Sequence, residues 1–118
     1  MASGSVGADE GRDDLSHEDL FDALAHERRR HLLAVLDEAG AALSLSDLAR
    51  SVARQERASP RPVDDGTVKR VRLSLYHWHV PKLEDAGLVE FDPDARTVGL
   101  AVRVAAIPDL ADLLGRSG

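Results

Sequence analysis

Five histidines, one tryptophan and a run of cations are the residues of this 118-residue chain that could do chemistry. His17, His26, His31, His77 and His79 invite a metal reading. His77 and His79, however, stand two residues apart, and on a helix that spacing points them about 200° apart, too far for one ion to be held from that helix. His79 falls near an apolar arc and reads as a satisfied buried histidine. The chain has no cysteine, which excludes disulfides, thiolate zinc sites and a cysteine nucleophile. It also lacks a glycine-rich phosphate loop, a serine-centred elbow and a carboxylate pair in a plausible pocket, so neither catalysis nor a cofactor or metal is expected.

The cations are distributed unevenly. Between Gly66 and Leu83 stand Lys69, Arg70, Arg72 and Lys82 with no acid among them, a local charge of +4 on one predicted helix. Such runs also occur as plain solvated helix faces. The chain as a whole carries −6, of which residues 1–14 supply −3, with Asp9, Glu10, Asp13 and Asp14 against Arg12. A general nucleic-acid binder is more often basic. Thirteen of the fifteen cations are Arg and acids exceed bases, a balance expected of a GC-rich genome and a salt-loving host. In concentrated salt the counterion-release contribution to DNA affinity is weak, so a regulator there would rely on shape and specific contacts.

These side chains need elements to position them. Residues 1–14 are rich in Gly, Ser and Asp and are expected to be a disordered acidic tail. Ser16 is the expected N-cap of a short first helix with Leu20, Phe21 and Leu24 as its apolar stripe. A second helix is predicted from Glu27 to Glu38, with Leu32, Leu33, Val35 and Leu36 inward and Gly40 as its stop. Arg28, Arg29 and Arg30 at its start oppose the helix dipole and call for partners, either Glu27, Asp22 or a phosphate. Leu43 marks a short strand. Ser46 is the expected cap of a third helix reaching about Arg57, with Leu48, Ala49, Val52 and Ala53 buried.

After a proline-stiffened connection, a long fourth helix is predicted over residues 65–86, capped by Asp64 or Asp65. At about 100° per residue, Leu73, Tyr76, Val80 and Leu83 fall on one arc and Val68, Val71 and Leu75 on an adjacent one. Arg70, Ser74 and His77 lie opposite the first arc, with Trp78 at the edge. Pro81 inside the helix predicts a bend or a loosened turn. Strands are predicted on either side of Asp92–Ala95, forming a hairpin over residues 88–102. Ile107–Leu114 reads as a last helix, packing on the domain or on a second subunit. The expected fold is mostly α with a small β-hairpin, a winged helix-turn-helix over residues 15–103, followed by a C-terminal element at 104–118.

The blocks LFDALAHERRRHLLAVL, SLSDLARSV and LYHWHVPKLEDAGLVEFD resemble, in order, the opening helices, positioning helix and recognition helix with wing of ArsR/MarR-type winged-helix regulators. The whole set resembles still more closely a haloarchaeal winged-helix domain family in which ERRR, SLYH-x-H-x-PKL-x-DAG and a short hairpin recur, which implies an archaeal, halophilic source. The resemblance implies double-stranded DNA as partner, with Ser74, His77 and Trp78 facing the groove and Arg96 and Thr97 at the wing. Lys69, Arg70 and Lys82 complete the candidate DNA-binding set by contacting phosphates. The sensor cysteines of metal-responsive relatives have no match. A cytoplasmic homodimeric transcription regulator is the expectation. The alternative is a winged-helix module that pairs with another protein and never touches DNA, with Trp78 packed under the wing or in a seam rather than in a groove.

Overall fold

The computed structural model describes residues 17–57 and 61–115. The acidic segment 1–14, the Ser16 cap and residues 58–60 of the connection lie outside the described residues. Helix α1 covers His17–Leu24. Leu20, Ala23 and Leu24 are buried, whereas Phe21, expected on the same stripe, is 56% exposed. A helix of eight residues lays one row against the core, and Phe21 stands about 100° away from Leu20 around the axis.

Helix α2, Glu27–Ala39, opens on His26, whose Nδ1 accepts the Arg28 backbone N–H at 3.2 Å. Leu32, Leu33, Val35 and Leu36 form its buried face. Gly40 ends it in the left-handed region at φ 69°, its N–H donating to the Leu36 carbonyl. Nothing lies within 4 Å of where a side-chain carbon at Gly40 would stand, so only backbone conformation resists a larger residue. Gly40→Ala is therefore expected to lower stability by about 1 kcal/mol, read as a reduced urea midpoint at unchanged slope.

Strand β1 is Leu43–Ser44, and helix α3 follows at once over Leu45–Glu56. Its cap is Ser44 rather than Ser46: the Ser44 hydroxyl accepts the Asp47 N–H at 3.0 Å. The start moves back because Leu45 belongs to the buried face with Leu48, Ala49, Val52 and Ala53. Helix α4, Asp65–Ser74, is capped by Asp64, whose Oδ1 accepts the Thr67 N–H at 2.7 Å. It packs along α3, which in turn packs on α2.

The predicted fourth helix is one rod built of three pieces. Helix α4 passes into a π turn, Leu75–His79, and then into α5, Val80–Asp85. In that turn the Val80 N–H reaches the Leu75 carbonyl five residues back. The widened turn ends just before Pro81, which cannot donate a backbone hydrogen bond. It also corrects the buried face. Val68, Val71 and Leu75 face the core, and after the π turn Val80 and Leu83 continue that face. The extra residue makes the stripe resume at i+5 instead of i+4. Leu73 and Tyr76, which regular periodicity places on one arc with Val80 and Leu83, are each 43% exposed.

Gly87 closes α5 at φ 80°, and the Leu88 N–H donates to the Leu83 carbonyl at 2.9 Å. Strands β2, Val89–Asp92, and β3, Thr97–Leu100, form an antiparallel hairpin, and β1 adds on the other side in the order β1-β3-β2. Val98, fully buried, pairs with both Leu43 and Phe91. On the outer edge of β2, the Glu84 carboxylate accepts the Phe91 N–H at 3.2 Å. The chain ends in a 3₁₀ turn at Val104–Ala106 and helix α6, Pro108–Leu113. Val104, Leu110 and Ala111 join the domain core, so this last helix packs on its own chain. The core is aliphatic throughout, with Leu32, Leu33, Leu36, Leu48, Leu75, Leu83, Leu88 and Leu110 fully buried. No helix among the described residues is long and apolar enough to cross a membrane.

Candidate nucleic-acid interface

The rod formed by α4, the π turn and α5 presents most of the candidate residues. Lys69 and Arg70 are exposed on the outer side of α4. Arg70 Nη2 donates to Thr67 Oγ1 at 3.2 Å, a contact within the helix that leaves the rest of the guanidinium outward. Arg72 is half-buried and leans towards α3, with Nη1 3.5 Å from the Ser46 hydroxyl. Ser74 is half-buried one turn beyond Arg70, and His77 is exposed. Trp78 is 71% exposed, more than any other large hydrophobic side chain among the described residues. The packing of Trp78 beneath the wing is therefore not found in the single chain.

Two of the expected contacts are otherwise engaged. Lys82 Nζ lies 2.5 Å from Asp22 Oδ2, joining α5 to α1, and this pairing holds the Asp22 carboxyl below its ordinary range. Thr97 is half-buried within β3, opposite Ser44 and Asp92. Arg96 closes the wing turn in the left-handed region at φ 58°. Its N–H donates to the Asp92 carbonyl at 2.7 Å, and its own carbonyl accepts the Leu45 N–H at 3.0 Å. Asp92 Oδ1 accepts the N–H groups of Asp94 and Ala95, so the turn is ordered by its own acid. The exposed tip thus carries Asp92, Asp94 and one cation, Arg96.

The arginine triplet serves the fold. Arg28 makes a two-pronged bond to Glu56, with Nε–Oε2 at 2.6 Å and Nη2–Oε1 at 2.9 Å, tying the start of α2 to the end of α3. Arg29 donates to the carbonyls of Asp22 and Ala23, and Arg30 to that of Leu24. These are C-terminal carbonyls of α1, of which that of Asp22 also accepts the Ala25 N–H at 3.4 Å. Arg29 Nε also donates to His79 Nδ1 at 3.1 Å. His79 is 5% exposed, as its place near the apolar arc predicts. Burial first, then the neighbouring His26 and Arg29, push its pKa down to about 4. Among the described residues no three His, Asp or Glu side chains converge to hold a metal ion.

Sequence reasoning left open which of the two apolar arcs faces the core, and the structure puts Leu73 and Tyr76 at the surface. Leu73 shares the outer side of the rod with Lys69, one turn away. Tyr76 stacks edge-on against Phe91 of β2, with ring centroids 5.9 Å apart, and against His77 at 5.0 Å. It links the π turn to the hairpin. Only the register shift of that turn reveals either position, and Pro81 is its one signal in the sequence.

Helices α2 and α3, the rod of α4 and α5, a short strand and a hairpin make a mostly-α fold of the winged-helix type, with Lys69 and Arg70 exposed on α4. The chain belongs to the family described as Domain of unknown function (DUF7344), whose family model matches residues 21–99. No curated protein and no solved structure matches it.

Proposed function

We propose that this protein is a DNA-binding transcription regulator, working as a homodimer in the manner of the ArsR/MarR-type regulators it resembles. The observation that carries this reading is the outer face of α4, where Lys69 and Arg70 project to solvent while Val68 and Val71 anchor the same turn in the core. A rigid helix that holds its cations on one side suits the major groove, with phosphate contacts setting register and neighbouring side chains meeting base edges. Ser74 and His77 stand next along this face, within the reach such a helix would have. Arg96 would meet the flanking backbone, although Asp92 and Asp94 beside it make the wing a weak phosphate grip.

Fluorescence anisotropy with labelled native promoter fragments, over a series of salt concentrations, tests the reading. The Lys69→Ala, Arg70→Ala double variant is expected to bind about ten-fold or more weakly, with a salt slope reduced by about 2. Binding by the wild type that neither variant nor salt alters would overturn it.

A second reading draws on a different observation. Trp78, with Leu73 and Tyr76 partly exposed nearby on the rod, makes an apolar surface of the kind that anchors protein partners. Under it the domain would be a protein-interaction module. Trp78 is the chain's one tryptophan. A shift of its fluorescence on adding DNA, abolished in the double variant, would favour the groove over this alternative.

A further inference from the structure

We propose that residues 9–14 of this chain dock on the exposed cationic face of α4, centred on Lys69 and Arg70, and compete there with nucleic acid. The competition rests on the DNA reading above. The docking itself rests on charge and reach.

The charge is complementary. Residues 9–14, DEGRDD, hold four acids against Arg12. Between Gly66 and Leu83 the rod holds four cations and no acid. Two of the four are committed elsewhere, Lys82 to Asp22 and Arg72 towards Ser46. Lys69 and Arg70 are exposed, and neither is ion-paired to a carboxylate among the described residues, although Asp64 lies near enough to feel the Arg70 charge. They are the unneutralised part of the stripe.

The reach is sufficient. The Asp22–Lys82 pair holds α1, the helix that follows residues 9–14 in the chain, beside α5 of the rod. Lys69 lies thirteen residues before Lys82 along that rod, about 20 Å at the helical rise. Five residues of α1 separate Asp22 from His17, adding up to about 8 Å, so the span is at most about 28 Å. From His17 back to Asp9 the chain can extend about 27 Å, and the carboxylate and lysine side chains add several ångströms more. Asp9 and Glu10 can therefore arrive at Lys69 and Arg70, while Asp13 and Asp14 stay nearer α1. Tethering of this kind gives an effective concentration in the millimolar range, enough to make a weak contact frequent. The contact is electrostatic and exposed, so it weakens as the screening length falls from about 10 Å at 0.1 M salt to about 3 Å at 1 M. In this arrangement the tail stands in for the phosphate backbone at low salt and releases the helix at high salt.

Zero-length carbodiimide coupling of the full chain is the direct test, because Lys69 and Lys82 are its only lysines. The Asp22–Lys82 pair supplies an internal reference link. In monomer-sized product at low salt, peptide mass spectrometry is expected to find Asp9 or Glu10 joined to Lys69, and molar salt should remove that link. A second measurement uses the full-length variant D9N/E10Q/D13N/D14N, expected to bind DNA about three- to ten-fold more tightly than wild type at low salt. Absence of the Lys69 link, together with equal DNA affinity of the two forms, overturns the docking and leaves the DNA reading intact. The link without DNA binding by either form upholds the docking and overturns the DNA reading.

Discussion

Acidifying the protein from pH 7 towards pH 4 is expected to cost the folded state about 3 kcal/mol at His79 alone. In the folded chain this imidazole has a pKa of about 4 against its ordinary 6.5, chiefly because it is buried, and further because His26 and Arg29 stand beside it. Arg29 Nε donates to its Nδ1, so a proton added at that nitrogen would confront a donor with a donor. Between pH 6.5 and about 4 the unfolded chain binds a proton that the folded chain refuses. Stability from this group is thus fully present above 6.5, falls through that window and levels off below it. The loss reaches further than one residue, because Arg29 also holds the C-terminal carbonyls of α1. Urea midpoints measured at intervals of pH should show the decline in the wild type, and His79→Gln should flatten it. Equal slopes for the two proteins would remove His79 as the cause. Carboxylates such as Asp22 and Asp64, whose pKa values lie below the ordinary range, would release their share only at lower pH.

The second large effect distinguishes two neighbours on the rod. Leu75→Ala is expected to destabilise by about 2–5 kcal/mol, since the side chain is fully buried and its removal leaves a cavity in close-packed surroundings. Leu73→Ala, at a side chain 43% exposed, is expected to cost less than about 1 kcal/mol. Chemical denaturation of the two variants side by side measures the difference. A regular α-helix through Pro81, continuing from Leu73 through Tyr76 to Val80, would give the opposite ranking. The comparison therefore tests the π turn itself. Leu73→Ala leaves the core intact and is also the cleaner variant for asking what the outer face touches.

Those two leucines show where the sequence was legible and where it was not. Helices α1, α2 and α3 and the hairpin could be read directly, because their signals are local: an apolar period of one turn, turn chemistry, a left-handed glycine at Gly40 or Gly87. The buried histidine could be read for the same reason. The inner face of the long rod could not, because periodicity assumes a constant number of residues per turn and the π turn changes it once. Pro81 announces that something gives way, but not whether the helix bends or widens. The cap of α3 slipped by two residues because Ser44 and Ser46 offer the same hydroxyl, and only the burial of Leu45 decides between them. The roles of Arg28, Arg29 and Arg30 were likewise open. Their partners, Glu56, His79 and the end of α1, are set by how three helices cross, which no local spacing encodes. Of the candidate interface, the charge of Lys69 and Arg70 was visible in the sequence. The capture of Lys82 by Asp22 depends on tertiary packing and was not.

The Glu84 carboxylate on the outer edge of β2 has a wider consequence. A strand at the margin of a sheet offers unpaired backbone groups on which another strand can grow, and small hairpins are prone to stack edge to edge through them. Here the outward N–H of Phe91 is already occupied by a side chain from α5. A foreign strand would have to displace a charged group before it could begin to zip. The hairpin is thereby protected against β-type aggregation and against recruiting extended peptides along that margin. Replacing the carboxylate by a shorter or apolar group would reopen it without touching the core.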